Sequence, residues 1–173
     1  MRSTLRHVDP EARRGPVYRA WTRLASSGLV TWLSTKRIWS ATIWKIDPWL
    51  MRLTRGRLGT GLLLPTALLE TRGARSGLVR RNAVIYFHDG ERATIFATQA
   101  GRPDNPSWYH NARANPEVEL GGQRFWAEVV EDEAERTRLW RLADRVFPAF
   151  AVYRDSAGRA GRSIPILQLV PRD

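Results

Sequence analysis

The chain has 173 residues, with 28 Lys and Arg against 17 Asp and Glu for a net charge of +11, and it has no cysteine. That length suits one domain with a core that stands without covalent staples. The missing cysteines exclude disulfides, thiolate nucleophiles, Cys-ligated zinc and iron–sulfur clusters, and His7, His88 and His110 share no ligand spacing, so no metal is expected.

Residues 1–15 are charged, contain Pro10 and Gly15, and show no periodicity, so a flexible tail is expected. The start lacks the apolar stretch of a signal peptide, and no apolar run approaches the roughly 18 residues that span a bilayer. A cytoplasmic protein is the expectation.

Residues 16–60 form a basic, Trp-rich segment that reads as amphipathic helices. Val17, Ala20, Trp21, Leu24 and Gly28 recur at helical spacing, and Ile38, Trp39, Ile43 and Trp44 begin a second stripe that Pro48 should break. The charge is concentrated here: residues 1–60 hold 12 bases and 3 acids, +9, leaving 16 bases and 14 acids, +2, for the remainder. Five of the eight tryptophans lie in the same segment: Trp21, Trp32, Trp39, Trp44 and Trp49. Such a mixture suits a membrane face or nucleic acid, or else Trp residues that simply pack a core. No nucleic-acid motif is present, so a membrane surface touching residues 16–53 is the preferred partner of the two. The stretch 55–61, Arg-Gly-Arg-Leu-Gly-Thr-Gly, reads as a connector.

Residues 61–173 carry β signals. Segments 62–71 and 79–90 precede 91–99, with a hairpin turn at His88-Asp89-Gly90-Glu91 and a second around Gly121-Gly122. Asn105 is placed to cap a short helix with Pro106 at its first position, closed by Asn115-Pro116. Asp132 and Glu135 have capping-box spacing ahead of a helix with Leu139, Leu142, Ala143 and Val146 as its buried stripe, ended by Pro148. The final strand, 163–170, is apolar at nearly every position and so should be central. Five or six strands joined mostly by hairpins predict an α+β, mainly β fold: an antiparallel barrel decorated by helices. The glycine patterns of Rossmann, P-loop and nucleophile-elbow sites are absent.

Two constellations could carry chemistry. Gly73 and Gly77 frame Ala74-Arg75-Ser76, a turn whose N–H groups and side chains suit an anion, although a solvated hairpin is the alternative. In the strand that follows, alternation puts Arg80, Asn82, Val84 and Tyr86 on one, polar face, and Val79, Ala83, Ile85 and Phe87 on an apolar one. The second constellation is Asn105 to Pro116, where Trp108 and Asn111 at i,i+3 could offer a ring face and an amide to a planar heterocycle, or could be a core Trp beside a local cap.

Thr71-Arg72-Gly73-Ala74-Arg75-Ser76-Gly77, followed by Arg80-x-Asn82, together with Ser107 to Pro116 and Ser163 to Leu169, resembles the deazaflavin-dependent nitroreductase family of split β-barrel oxidoreductases, over roughly residues 45–171. The resemblance implies coenzyme F420, an 8-hydroxy-5-deazaflavin with a phosphate and polyglutamate tail, and hydride transfer from its reduced form to quinones, activated alkenes or nitroaromatics. It assigns the phosphate and tail to Ala74, Arg75 and Ser76, helped by Arg80 and Asn82. Phe96, Ala97, Thr98 and Gln99 would line the deazaflavin edge, and Ser107, Trp108, Tyr109 and Asn111 would clasp the rings. The helix after Pro148 would shape a substrate pocket with Tyr86, Phe147, Phe150 and Tyr153, and Tyr153 is the candidate proton donor. Ala74 stands where relatives often carry Arg, and Gln99 where many carry Lys. Alternatives are a split barrel holding flavin mononucleotide (FMN) or a lipid with little turnover, or a basic adaptor on membranes; a homodimer is compatible with each.

Overall fold

The computed structural model describes residues 5–13, 15–25 and 64–172, with Leu24 and Ala25 described by backbone alone. The second helical stripe, the break at Pro48, the 55–61 connector and Trp32, Trp39, Trp44 and Trp49 lie outside the described residues.

Six antiparallel strands close into a barrel: β1 (Thr66–Arg72), β2 (Val79–Asp89), β3 (Arg92–Phe96), β4 (Glu117–Leu120), β5 (Gln123–Val129) and β6 (Ile166–Pro171). Their spatial order is β1-β2-β3-β6-β5-β4, with β4 returning to β1. Helix α1 (Pro16–Ala25) precedes the barrel, α2 (Ser107–Ala114) connects β3 to β4, and α3 (Glu133–Val146) and α4 (Ala149–Arg159) connect β5 to β6. Both predicted hairpins form as two-residue loops, since Asp89 pairs with Arg92 and Leu120 with Gln123. Gly121 and Gly122 have φ of 57° and 85°, the left-handed pair that a tight hairpin requires. Strand β6 pairs with β3 on one side and β5 on the other; the barrel is closed, so no strand is more central than another, and the largely apolar run of β6 shows instead as burial from Ile166 to Leu169.

Inside the barrel, Leu69, Ile95, Leu120, Phe125, Leu167 and Leu169 are almost fully buried. Ala67, Leu69 and Thr71 pair with Val84, Asn82 and Arg80, so the alternation of β2 is as predicted. The polarity assigned to its faces is corrected at both ends of the strand. The Arg80–Tyr86 face looks into the barrel, and Val84 and Tyr86 on it are buried core residues. Val79, on the other face, is 52% exposed. The polar members Arg80 and Asn82 lie near the start of the strand, where the barrel opens.

Helix α3 starts at Asp132 as predicted, its carboxylate accepting from the Glu135 N–H at 2.7 Å, but the Glu135 carboxylate is held by Arg138. Leu139, Ala143 and Val146 are buried. Phe147 caps the helix, and Pro148 opens α4. Helix α1 begins where expected, but its buried face is rotated: Thr22 is buried and Tyr18 donates to the Val146 carbonyl at 2.6 Å, while Val17 is 71% exposed. The expected flexible tail is docked over residues 5–10. Val8 N–H donates to His88 Nδ1 at 3.0 Å, His88 N–H donates back to the Val8 carbonyl, and Tyr86 Oη bonds the backbone of Arg6. Among the described residues, no helix is long and apolar enough to cross a membrane.

Candidate functional site

The arginine loop between β1 and β2 is a closed turn. Gly73 N–H donates to the Leu78 carbonyl and Gly77 N–H to the Gly73 carbonyl. Gly73 is closely approached: a Cβ there would lie 2.6 Å from Ser76 Oγ, which can rotate away, and 3.3 Å from the Leu78 carbonyl oxygen. Gly77 is fixed by conformation, with φ of 65°. The four arginines around this turn separate by partner. Arg81 is held by Glu70, Nε to Oε1 at 2.7 Å and Nη2 to Oε2 at 3.1 Å, and that carboxylate raises its pKa. Arg72, Arg75 and Arg80 are exposed, and their guanidinium groups have no acidic partner among the described residues. Their charge is available to an external anion.

Helix α2 ties that loop to the barrel. Asn111 Oδ1 accepts from the Ala74 N–H at 3.0 Å, and its Nδ2 donates to the buried Thr71 hydroxyl at 3.3 Å. Asn115 Nδ2 donates to the Arg72 carbonyl at 3.3 Å. The first constellation and the second are thereby joined through Asn111. Its amide is spent within the protein, and Trp108 is only 2% exposed in the core. Trp108 is thus a core residue, as one alternative had it, but Asn111 is no local cap: its partners lie 37 and 40 residues away along the chain. Tyr109 is also buried, while Ser107 stays on the surface.

At the other end of α2 the predicted cap is replaced. Pro106 holds the N-cap position, and Asn105 Oδ1 instead accepts from Arg162 Nε at 2.9 Å. Arg162 also donates to the carbonyls of Ala97, Thr98 and Arg102. Burial lowers its pKa, opposed by the charge of Asp104. Sequence inspection does not single out Arg162, because every one of these partners is at least 57 residues away along the chain.

The loop that Arg162 grips follows Phe96. Phe96 and Ala97 are buried, whereas Thr98 and Gln99 are half-buried. Gln99, Ala100 and Gly101 all have positive φ. Phe96 packs against Phe150 with ring centroids 5.5 Å apart and against Trp140 at 4.5 Å. Phe147, Phe150 and Tyr153 continue this cluster, with Tyr153 at 6.2 Å from Phe147 and 6.4 Å from Phe150. Tyr86 is not part of it: it pairs with Ile95 on the inner face, and burial raises its pKa. Phe87, on the opposite face of β2, takes the place beside Phe96 at 6.0 Å.

An anionic cofactor fits these residues at one end, where Arg75 and Arg80, without acidic partners among the described residues, adjoin a turn braced by α2, while Arg72 shares a groove with Glu70, Glu117 and Glu119. Thr98, Gln99 and Tyr153 remain partly exposed beside the aromatic cluster, the side on which a ring system would have to lie.

Comparison with known proteins agrees with this arrangement. The family model described as F420H(2)-dependent quinone reductase matches residues 44–171. An F420H(2)-dependent quinone reductase of Mycobacterium tuberculosis is 34% identical over 128 residues, covering 70% of this chain and 85% of that protein. A solved structure described as an F420-H2 dependent reductase superposes with a TM-score of 0.53 at 32% identity, covering 61% of this chain and 93% of that one. A second, described as a domain-swapped dimer, gives 0.55 at 29% identity over 70% of this chain and 93% of that one. The split-barrel fold, the residues matched and the relatives agree: this chain belongs to the F420H(2)-dependent quinone reductase family.

Proposed function

We propose that this chain is an F420H2-dependent reductase whose acceptor is a quinone, with residues 61–173 as the unit that holds the cofactor. Membership in the family supports an oxidoreductase that uses coenzyme F420. The observation that carries the assignment of the site is the pair of exposed arginines without acidic partners among the described residues, Arg75 and Arg80, on a turn latched to α2 by Asn111.

Arg75, Arg80 and the Ser76 hydroxyl hold the phosphate and the acidic tail, using charge-assisted hydrogen bonds. Phe96, Phe147 and Phe150 exclude water on one side of the site, and Thr98 and Gln99 meet the edge of the ring system. When bound, the reduced deazaflavin supplies a hydride equivalent. A quinone also needs a proton to become a hydroquinone, and Tyr153 holds one at its phenolic oxygen. Phe147 and Phe150, lacking such a proton, shape the pocket only.

The acceptor enters from a lipid surface. The +9 charge of residues 1–60 and the tryptophans of residues 16–53 favour the cytoplasmic face of an anionic membrane, where quinones dissolve. The dimer described for one solved relative suggests a homodimer here. Tryptophan fluorescence during titration with F420 and, separately, with FMN tests the cofactor choice. Saturable quenching by F420 at concentrations where FMN has no effect is expected, and the reverse order would transfer the site to a flavin.

A further inference from the structure

The turn at Gln99–Ala100–Gly101 has a backbone that must be held from outside. Its three consecutive φ values are 46°, 53° and 74°, and the first two residues carry a Cβ that the left-handed region disfavours. Two neighbours constrain it. On the α4 side Gly101 is in direct contact, because a Cβ there would lie 2.8 Å from both the Tyr153 carbonyl oxygen and Ser156 Cβ. The second neighbour is Arg162, whose one guanidinium donates to the carbonyls of Ala97, Thr98 and Arg102 and to Asn105 Oδ1.

Arg162 is itself anchored before it reaches the loop. Its N–H donates to the Ala157 carbonyl at 2.9 Å. The next two residues are held by Arg136 from α3, which donates to Ser163 Oγ at 2.7 Å and to the Ile164 carbonyl at 3.1 Å. The side chain therefore works from a fixed base, and its hydrogen-bond acceptors are all neutral oxygens.

We propose that Arg162 is a positioning residue for the deazaflavin, holding the 97–102 loop in the shape that presents Thr98 and Gln99 to the ring. The inference rests on the proposal above that Phe96 to Gln99 meet the cofactor. A planar peptide unit points its C=O and N–H in opposite directions. With the Thr98 carbonyl drawn toward the guanidinium, the Gln99 N–H is turned away from it, outward from the clamp. A planar fork is needed for this, since its five N–H donors reach several carbonyls at once. A lysine ammonium is a point charge and cannot span them.

The test uses the full chain with Arg162→Lys, and with Gly101→Ala as a second route to the same turn from the α4 side. Two readouts are taken: amide hydrogen exchange at Gly101 and Arg102, whose N–H groups bond the Thr98 and Gln99 carbonyls, and the Kd for F420 from fluorescence. In Arg162→Lys, exchange at both amides should rise about tenfold while the β3–β6 ladder stays protected, and the Kd should rise about tenfold. Gly101→Ala should weaken F420 likewise. Unchanged exchange in Arg162→Lys overturns the inference, as does faster exchange with an unchanged Kd. A wild-type chain that binds no F420 sinks the site assignment itself. A wild type that binds, beside variants that bind equally well, overturns the positioning role alone.

Discussion

Arg81 donates two hydrogen bonds to Glu70, whereas Arg80, one residue earlier and on the opposite face of β2, has no acidic partner among the described residues. Arg138 is shared between Glu135 and Asp89, both of which raise its pKa. Arg162 is satisfied by carbonyl oxygens. One residue type thus staples strands, braces a helix, clamps a loop or awaits a ligand, according to what lies within reach. The awaiting pair gives a direct prediction. Arg75→Ala combined with Arg80→Ala should raise the Kd for F420 at least about tenfold at low salt, since each lost charged hydrogen bond is worth about 1.5–3 kcal/mol. The gap from wild type should narrow as the Debye length falls from about 10 Å at 0.1 M to about 3 Å at 1 M salt. Equal affinities at low salt would return the loop to a solvated turn. Asn111→Ala acts differently, because it strands the buried Thr71 hydroxyl and frees the Ala74 N–H. A loss of about 1–3 kcal/mol is expected in denaturant melts; an unchanged midpoint would show that α2 does not brace the loop.

At the scale of elements, α2 is a strut between the two parts of the site. Asn111 and Asn115 fasten one end to the arginine loop, and Asn105 just ahead of the helix shares Arg162 with the 97–102 loop. Eight residues of helix set that separation at about 12 Å. The docked segment before α1 is the second element with a testable property. His88 Nδ1 accepts the Val8 N–H, so its ring must be unprotonated there, and burial together with the neighbouring His7 lowers its pKa from 6.5. Tyr86, stacked edge-on at 5.7 Å, is uncharged. The unfolded state then binds more protons than the native state as pH falls below the ordinary histidine value. The contribution is complete above about pH 6.5 and is lost as pH falls through the depressed folded value. Urea midpoints measured between about pH 7.5 and 5.5 should decline toward acid in the wild type and decline less in His88→Gln. Parallel curves would mean that the docked segment does not depend on this histidine.

Across the whole molecule, local chemistry was readable in the sequence and distant pairing was not. Gly90 and Gly121-Gly122 announce their hairpins because a tight turn needs positive φ, and the largely apolar β6 announces its burial. Asp132 announces the start of α3 because its partner is three residues away. The spacing of Trp108 and Asn111 gives their common face but not what covers it, and the core covers Trp108. The docking of Arg6 and Val8 on Tyr86 and His88 joins residues 80 apart, with no local pattern to mark it. Arg162 is hidden for the same reason, and the buried face of α1 is turned toward Tyr18 and Thr22 by what α1 packs against rather than by its own apolar stripe. The arginine loop was legible as charge, while the division of that charge between Glu70 and a ligand needed the register of β1 with β2.

The central claim is that the barrel passes hydride equivalents from reduced F420 to a quinone. Anaerobic mixing of the protein with F420H2 and menadione, followed at the absorbance of the oxidised deazaflavin, tests it most directly. The absorbance should return at a rate that saturates with menadione and exceeds the enzyme-free rate. A rate indistinguishable from the enzyme-free control at every menadione concentration would contradict it.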